Sequence, residues 1–377
     1  MTRVNIHVPP RPYDAVIESG ALMHAGAYLR EVLPEHERLF VITVLPVRRK
    51  WGKKLLTSLA ATGFKASLVE MPDGERHKKL ANVEQLAEKL TRLGADRSAA
   101  VVAFGGGVVG DVAGMLASVY MRGVPLVQIP TTLQAQVDAA IGGKTGVNLR
   151  TGKNLVGTFH QPRLVLIDPA VLSTLPDREF RAGLYESWKA GVIGRPELFE
   201  RLEKISGKAL RRDAAALEWV IAESVKLKAE VVSQDEREGG LRRVLNYGHT
   251  IGHALESATG YRHFLHGEAV AWGMIAANHI AVAGGHLPLD VARRINGAVL
   301  SAGPLPKVTS QSRGILRLLQ TDKKTSAGVV HFVLPKEIGR VEIARDVSDK
   351  VVIQAVDELR RLSGRASSGR IESTVVL

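Results

Sequence analysis

The chain has 377 residues, which at about 100–200 residues per domain predicts two or three domains. Its composition, with 45% hydrophobic and 24% charged residues, is that of a folded protein and excludes a disordered chain. Cysteine is absent, so disulfide bonds, thiolate metal ligands and a cysteine nucleophile are all excluded. Any metal must therefore be held by histidine, aspartate or glutamate.

The net charge of +13 favours a polyanionic partner, a class that includes nucleic acid, anionic lipid surfaces and small phosphorylated molecules. The N-terminal sequence MTRVNIHVPPRPYD lacks the apolar core of a signal peptide, and no apolar run reaches about 18 residues. We therefore expect a cytoplasmic protein without membrane spans.

Short apolar segments alternate with amphipathic segments in the first half of the chain. Strands are predicted at 38–44, 65–71, 99–104, 125–130 and 163–168, and helices at 53–63 and 78–94. This alternation is typical of βαβ units and predicts a mostly parallel sheet covered by helices.

The pattern changes after Asp177. Helices are predicted at 180–194, 214–234, 249–260 and 268–285, and a strand-like run follows at 329–335. We therefore predict an α/β N-terminal domain over residues 1–175 and a mainly α-helical C-terminal domain over 176–377. A Ser/Gly/Arg-rich composition predicts a loose tail from about residue 363.

A glycine-rich segment, Gly105 to Gly110, follows a predicted strand and fits the GxGxxG pattern that lets a helix N-terminus approach a phosphate. An ordinary Rossmann site also needs an acidic residue about 20 positions further on, and residues 112–137 contain none. A structural turn therefore remains the alternative to a nucleotide site. The sequence Gly142-Gly143-Lys144-Thr145 is not a P-loop, because Asp138 occupies the position of the first glycine.

Three histidines lie within eighteen residues, at His249, His253 and His266, the last beside Glu268. A pair of imidazoles four residues apart on a helix is a common zinc-binding arrangement. Spacing favours His249 and His253 as ligands, with His266 or a distant carboxylate as the third; ordinary hydrogen-bonded histidines are the alternative. Glu186 and Lys189 share a face of a predicted helix, where the simplest explanation is a surface ion pair, although their apolar surroundings favour a buried position.

Taken together, ten segments in order resemble the 3-dehydroquinate synthase family of the sugar-phosphate cyclases. The segments are DGERHK (73–78), GGGVVGD (105–111), YMRG (120–123), IPTTLQAQVDAAIGGKTGVN (129–148), KNLVGTFHQP (153–162), GLYESWK (183–189), KAEVVSQDE (228–236), LRRVLNYGHTIGHA (241–254), HGE (266–268) and DKK (322–324). No single segment would be sufficient, but the set is highly specific.

The resemblance implies an enzyme that uses catalytic NAD and a divalent metal, Zn²⁺ or Co²⁺. Such an enzyme converts 3-deoxy-D-arabino-heptulosonate 7-phosphate into 3-dehydroquinate and phosphate, the second step of the shikimate pathway. The implied steps are oxidation, phosphate elimination, reduction, ring opening and intramolecular aldol closure. The resemblance also implies a homodimer, a Rossmann-like NAD-binding N-terminal domain and a C-terminal domain that binds metal and substrate.

The family's functional positions map onto this sequence residue by residue. The implied metal ligands are Glu186, His249 and His266, so that His253 becomes either a residue that supports a ligand or a catalytic residue. The implied nucleotide-binding residues are Asp73, Glu75, Lys78, Gly105, Gly106, Gly107, Asp111, Thr131, Thr132, Asp138, Lys144 and Lys153. The implied substrate-binding and catalytic residues are Arg122, Lys144, Asn154, Lys189, Lys228, Arg242, Asn246, His253 and Lys324, the last favoured over Lys323.

One position departs from the family pattern. Many relatives carry an aspartate at the end of the strand at 38–44, where it holds the adenosine ribose, and here that residue is Val44. We therefore expect weaker NAD binding than in a Val44→Asp variant.

Three other functions compete with this interpretation. A cyclase acting on sedoheptulose 7-phosphate is the nearest alternative, and a metal-dependent polyol dehydrogenase is the next. A nucleic-acid-binding protein would need basic stripes with interleaved aromatic residues, but aromatic residues make up only 5% of the chain. We therefore expect a small phosphorylated sugar acid as the partner, and neither nucleic acid nor membrane.

Overall fold

A computed structural model of the chain describes residues 1–321 and 330–366. Its strands are β1 (Thr2–Ile6), β2 (Tyr13–Ile17), β3 (Arg38–Thr43), β4 (Lys65–Glu70), β5 (Ala100–Gly105), β6 (Leu126–Pro130), β7 (Lys144–Leu149), β8 (Gly152–Phe159), β9 (Leu164–Ile167), β10 (Phe332–Glu337) and β11 (Arg340–Ala344). Its α-helices are α1 (Ala25–Val32), α2 (Leu45–Val47), α3 (Lys53–Ala61), α4 (Leu80–Arg92), α5 (Gly107–Val119), α6 (Asp177–Gly194), α7 (Pro196–Glu203), α8 (Gly207–Arg212), α9 (Ala214–Gln234), α10 (His249–Ala258), α11 (His266–Ala283), α12 (Leu289–Ser301), α13 (Ser312–Thr321) and α14 (Asp349–Ala366). No helix within these described ranges is long and apolar enough to cross a membrane.

The chain divides into two compact units. The first comprises residues 1–180 and 211–237, and the second comprises residues 181–210 and 238–377 as far as the structure describes them. Residues 211–237 fall within the predicted C-terminal domain, 176–377, because the pattern of α9 is that of one more helix. In the structure α9 packs on β1 and β2 of the first unit, a long-range contact that helical periodicity does not reveal.

The first unit is built on a seven-stranded sheet with the strand order β1-β2-β9-β6-β5-β3-β4. All neighbouring pairs are parallel except β1 with β2. Successive residues of β3 belong to different hydrophobic clusters, Leu39 and Val41 to one and Phe40 and Ile42 to the other. The sheet is thus buried on both faces, which is why its central strands are continuously apolar.

The second unit is mainly helical, with α11 at its centre and α10, α12 and α14 packed around it. The α/β and helical classes predicted from the sequence are confirmed. The antiparallel pairs β1–β2 and β7–β8 were not predicted. The strand expected at 329–335 appears as β10 from Phe332 onward, with residue 329 outside the described residues. Helix α14 continues to Ala366 with Ser363 buried, so the expected loose tail does not begin at 363; residues 367–377 lie outside the described residues.

Candidate active site

The glycine loop of the first unit joins the carboxyl end of β5 to the start of α5. A Cβ atom on Gly105 would lie 2.5 Å from Val109, and one on Gly106 would lie 2.9 Å from Thr132. The backbone N–H of Thr131 donates a hydrogen bond of 2.9 Å to the carbonyl of Gly105. No side chain caps α5, so the first-turn N–H groups of this 13-residue helix are suited to a phosphate.

A buried lysine links three of the predicted residues of this unit. Lys78 is only 4% exposed, and its Nζ donates hydrogen bonds to a carboxylate oxygen of Asp111 and to the side-chain oxygen of Asn154. Burial raises the pKa of Asp111 above its usual range, and the nearby Lys78 ammonium opposes that rise. Lys78 therefore joins Asp111, predicted to bind the nucleotide, to Asn154, predicted to bind the substrate.

Two further pairs lie in the same unit. Glu75 accepts a hydrogen bond of 2.8 Å from Asn148, and its carboxylate is 3.6 Å from the Nζ of Lys153. Lys228, on α9, donates a 2.7 Å hydrogen bond to the carbonyl of Asp138 and pairs with the carboxylate of the same residue. The remaining residues predicted here include the buried Thr131 and the exposed Asp73, Arg122 and Lys144.

Two of the predicted substrate-binding residues have left-handed backbone conformations. The φ angle is +71° at Arg122, which follows Met121 at +50°, and +55° at Asn154. Residues other than glycine rarely adopt these angles, and such strain is concentrated at functional sites. The backbone thus marks the same two positions that the motifs marked.

Glycines bring α6, α10 and α11 of the second unit into very close contact. A Cβ atom on Gly267 would lie 1.9 Å from the carbonyl oxygen of Ala182, and one on Gly273 would lie 1.7 Å from that of Gly248. Ala182 and Glu186 are one turn apart on α6, and Gly267 follows His266 directly. The glycine contact therefore places His266 beside Glu186.

Three imidazoles meet at the junction of α10 and α11. One ring nitrogen from each of His249, His253 and His266 lies within 4.8 Å of the others. The ring centroids are 5.1 Å apart for His249 and His266, and 5.5 Å apart for His253 and His266. The structure therefore brings together all three histidines, and both ligand sets considered from the sequence stay predictions.

Glu186 adds a carboxylate to this cluster. The residue is 2% exposed, and its Oε1 lies 3.6 Å from Nε2 of His266. The Nζ of Lys189 is 2.5 Å from Oε2, yet neither carboxylate oxygen has a hydrogen bond of regular geometry among the described residues. A buried carboxylate without hydrogen bonds beside three imidazoles is a donor set that fits a divalent cation such as Zn²⁺ or Co²⁺.

The orientation of His249 is fixed by a buried polar chain. Nδ1 of His249 lies 3.2 Å from the carbonyl oxygen of Tyr247, which leaves Nε2 for another partner. The hydroxyl of Tyr247 donates to Asn278 at 2.5 Å, and Asn278 donates to Asn296 at 2.7 Å. Complete burial raises the pKa of Tyr247 far above its usual range, so the phenol stays a donor.

The last predicted substrate residues of the second unit lie at a short 3₁₀ helix, Leu241–Asn246. Arg242 is 2% exposed, and Asn246 donates a 2.6 Å hydrogen bond to Glu238. Lys323 and Lys324 lie outside the described residues.

Sequence reasoning missed several residues that hold the predicted ones in place, among them Asn148, Tyr247 and Glu256. A usable signal was present for the histidines, because each of them has a glycine neighbour in the chain: Gly248, Gly252 and Gly267. Repeated glycines next to polar residues on helices indicate close helix packing at that point.

Two features define the class of protein. The parallel sheet with its glycine loop is typical of a dinucleotide-binding unit, and the cluster of histidines and a carboxylate is typical of a metal-binding unit of an enzyme. Known proteins identify the family. The 3-dehydroquinate synthase N-terminal family matches residues 68–182, and the C-terminal family of the same name matches residues 183–325. The chain belongs to the 3-dehydroquinate synthase family.

Relatives of the same name cover nearly all of the chain. A 3-dehydroquinate synthase of Koribacter versatilis (strain Ellin345) is 54% identical over 96% of this chain and 99% of its own length. One from Gloeobacter violaceus is 49% identical over 96% of this chain and 100% of its own length.

Solved structures extend the likeness to other cyclases. A 2-epi-5-epi-valiolone synthase of Streptomyces hygroscopicus, with NAD⁺ and Zn²⁺ bound, has a TM-score of 0.85 and 33% identity over 94% of this chain and 98% of its own. A 2-deoxy-scyllo-inosose synthase complexed with carbaglucose-6-phosphate, NAD⁺ and Co²⁺ has a TM-score of 0.84 and 28% identity over 95% and 99%. An iron-containing alcohol dehydrogenase with a TM-score of 0.68 and 16% identity shares the fold.

Proposed function

We propose that this chain is an enzyme that converts 3-deoxy-D-arabino-heptulosonate 7-phosphate into 3-dehydroquinate and phosphate. The observation that carries the proposal is full-length similarity to 3-dehydroquinate synthases, reaching 54% identity, in a chain whose second unit gathers three histidines and Glu186. The reaction has no net redox change, so NAD is required in catalytic amounts only.

NAD and a divalent cation are the proposed cofactors. When bound, NAD would supply reversible hydride transfer, and the cation would supply Lewis-acid activation of a substrate hydroxyl. The first-turn N–H groups of α5, beside Gly106 and Gly107, would hold the dinucleotide phosphates. Glu186, His249 and His266 would hold the cation, and the buried oxygens of Glu186 make no regular hydrogen bond with the described residues.

The cationic residues have the task of binding a substrate with a carboxylate and a phosphate. We assign this task to two arginines and several lysines: Arg122, Lys144, Lys189, Lys228 and Arg242. Arginine can bind a carboxylate or a phosphate with two parallel hydrogen bonds, whereas lysine acts as a point charge. Lys228 and Lys189 are held by Asp138 and Glu186, so their ammonium groups are positioned before substrate binds.

His253 is the proposed proton-handling residue. Its ring lies 5.2 Å from that of His249 and 5.5 Å from that of His266, so it borders both proposed histidine ligands. Imidazole exchanges protons near neutral pH. Asn154 and Asn246 would orient substrate hydroxyl groups through their side-chain amides.

The deciding assay supplies the heptulosonate phosphate with zinc and substoichiometric NAD, and follows phosphate release, absorbance of NADH and product identity. The proposal predicts dehydroquinate and phosphate over many turnovers per NAD, without accumulated NADH. Stoichiometric NADH would indicate a polyol dehydrogenase, and activity restricted to sedoheptulose 7-phosphate would indicate the other cyclase class.

A homodimer is the proposed assembly. Exposed apolar side chains on and near the β7–β8 hairpin support an association surface: Leu149, Leu155 and Phe159 are each 43% exposed. Light scattering at micromolar concentration should give twice the chain mass, and a Phe159→Ser variant should weaken association. A cytoplasmic location stays a prediction.

A further inference from the structure

The second unit contains a buried carboxylate that the proposed reaction does not use. Glu256 lies on α10, three residues after His253 and seven after His249, so the three side chains share one helix face. The residue is 1% exposed. Ionised groups are rarely buried without a specific partner, so a function is expected for this one.

The position of Glu256 relative to His266 indicates that function. Oε2 of Glu256 lies 3.2 Å from Nδ1 of His266, within the range of a hydrogen bond. The opposite ring nitrogen, Nε2, lies 3.6 Å from Oε1 of Glu186, which is too far for a hydrogen bond. The ring of His266 therefore lies between two buried carboxylates, with a hydrogen bond to only one of them.

We propose that Glu256 is a positioning residue for the metal site: its carboxylate accepts the Nδ1–H of His266 and so directs Nε2 toward the cation shared with Glu186. This inference rests on the metal site of the proposed function. An acceptor on one ring nitrogen fixes the tautomer and the ring plane, and makes the other nitrogen a stronger ligand.

The arrangement at His249 supports the assignment independently. That ring also has Nδ1 beside an oxygen acceptor, the carbonyl of Tyr247 at 3.2 Å. Both predicted imidazole ligands thus present Nε2, one held by a neutral carbonyl and the other by a carboxylate. The carboxylate partner makes His266 the more basic ligand of the two.

Metal affinity tests the proposal without reference to turnover. Zinc binding by the purified full chain is measured in competition with a chromophoric chelator, and the visible spectrum of the Co²⁺ form is recorded. Glu256→Leu removes the acceptor and should weaken zinc binding by about 10- to 100-fold. Glu256→Gln keeps a side-chain oxygen that can accept the hydrogen bond from Nδ1–H but loses the charge, so it should cause a smaller loss of affinity and a shifted cobalt spectrum.

Glu268→Gln is the matched control. Glu268 is another buried carboxylate at the start of α11, 3% exposed, but its Oε2 accepts a hydrogen bond from the backbone N–H of Leu265 at 2.8 Å. This variant should lower thermal stability and leave zinc affinity and the cobalt spectrum unchanged. If folded Glu256→Leu binds zinc as tightly as the parent chain and has the same cobalt spectrum, the proposal is wrong.

A second measurement needs no variant at position 256. Long-range ¹H–¹⁵N spectra of the zinc-loaded chain, labelled at histidine, report which nitrogen of each ring carries the proton, and a His266→Gln sample assigns the signals. The proposal requires a protonated Nδ1 in His266; a protonated Nε2 overturns it. A parent chain that binds no stoichiometric zinc contradicts the proposed function itself, which separates the two failures.

Discussion

The two units hold their candidate functional residues in different ways. In the first unit two buried lysines have carboxylate partners, Lys78 with Asp111 and Lys228 with Asp138. In the second unit Glu186 faces Lys189 and three imidazoles, yet its carboxylate makes no regular hydrogen bond among the described residues. The first arrangement pairs its charges within the protein, whereas the second is a donor set that fits a cation.

We therefore expect the stability of the second unit, more than that of the first, to depend on a bound metal. Ion pairs such as Lys78–Asp111 satisfy buried charges within the protein, and their loss exposes an uncompensated charge. A cluster of metal ligands gains its stability from binding, since a ligand that binds the folded state alone stabilises it by mass action. We therefore expect the stability of the first unit to respond mainly to substitution of its paired residues. The stability of the second unit should respond mainly to the concentration of metal.

The largest effect is expected from Lys78→Met. This change leaves Asp111 largely buried without its cation, and loss of one partner of a buried pair costs about 3–5 kcal/mol. Urea unfolding, with hydrogen exchange of β5 and α5 as the local probe, measures the loss. Lys153→Met is the control, because the Lys153–Glu75 pair is longer, at 3.6 Å, and more exposed; there we expect about 0–1 kcal/mol. Equal losses in the two variants would contradict the role of burial.

Metal removal should act on the other unit. At a zinc concentration about 100 times the dissociation constant, chelation should lower the free energy of unfolding by about 2.7 kcal/mol. Hydrogen exchange should show the loss of protection in α10 and α11, with β5 and α5 unchanged. Glu186→Gln should make the protein insensitive to zinc in the same experiment. A uniform loss over both units would mean that the metal does not act locally.

Structural features that depend on local patterns could be predicted from the sequence. Continuous apolar runs such as 99–104 indicated the parallel strands, and the spacing of His249 and His253 indicated a shared helix face. Long-range contacts were not accessible in this way. The packing of α9 on β1 joins residues more than 200 positions apart, and Glu256 gave no signal beyond a single acidic residue in a helix.

The close contact of Gly267 with Ala182 shows where the limit lies. Glycine in a helix lowers helix propensity, so sequence reasoning counts it as a weakness. Here the missing Cβ permits an approach that places His266 beside Glu186. The glycine is visible in the sequence, but only the packed structure shows that α6 and α11 make their close contact there.

The smallest expected effect concerns the nucleotide side and Val44. Pairing of Thr43 with Phe104 places Val44 next to Gly105, at the edge of the sheet where the glycine loop begins. In dinucleotide-binding folds an acidic residue near this edge binds the ribose hydroxyl. Val44 is 5% exposed, precedes α2 and has an extended backbone, the conformation of a helix N-cap, where aspartate is favoured.

Val44→Asp should therefore fold and gain a charge-assisted hydrogen bond to NAD. Such a bond contributes about 1–3 kcal/mol, which corresponds to roughly 5- to 150-fold tighter binding. Calorimetric titration with NAD measures the change in affinity. Val44→Asn introduces a side chain of the same shape as aspartate but without its charge, so it should gain less NAD affinity. If the parent chain binds NAD as tightly as Val44→Asp, another group already serves the ribose. In that case a residue outside the family motif would bind the ribose, just as Lys78 and Lys228 of the same unit already have carboxylate partners.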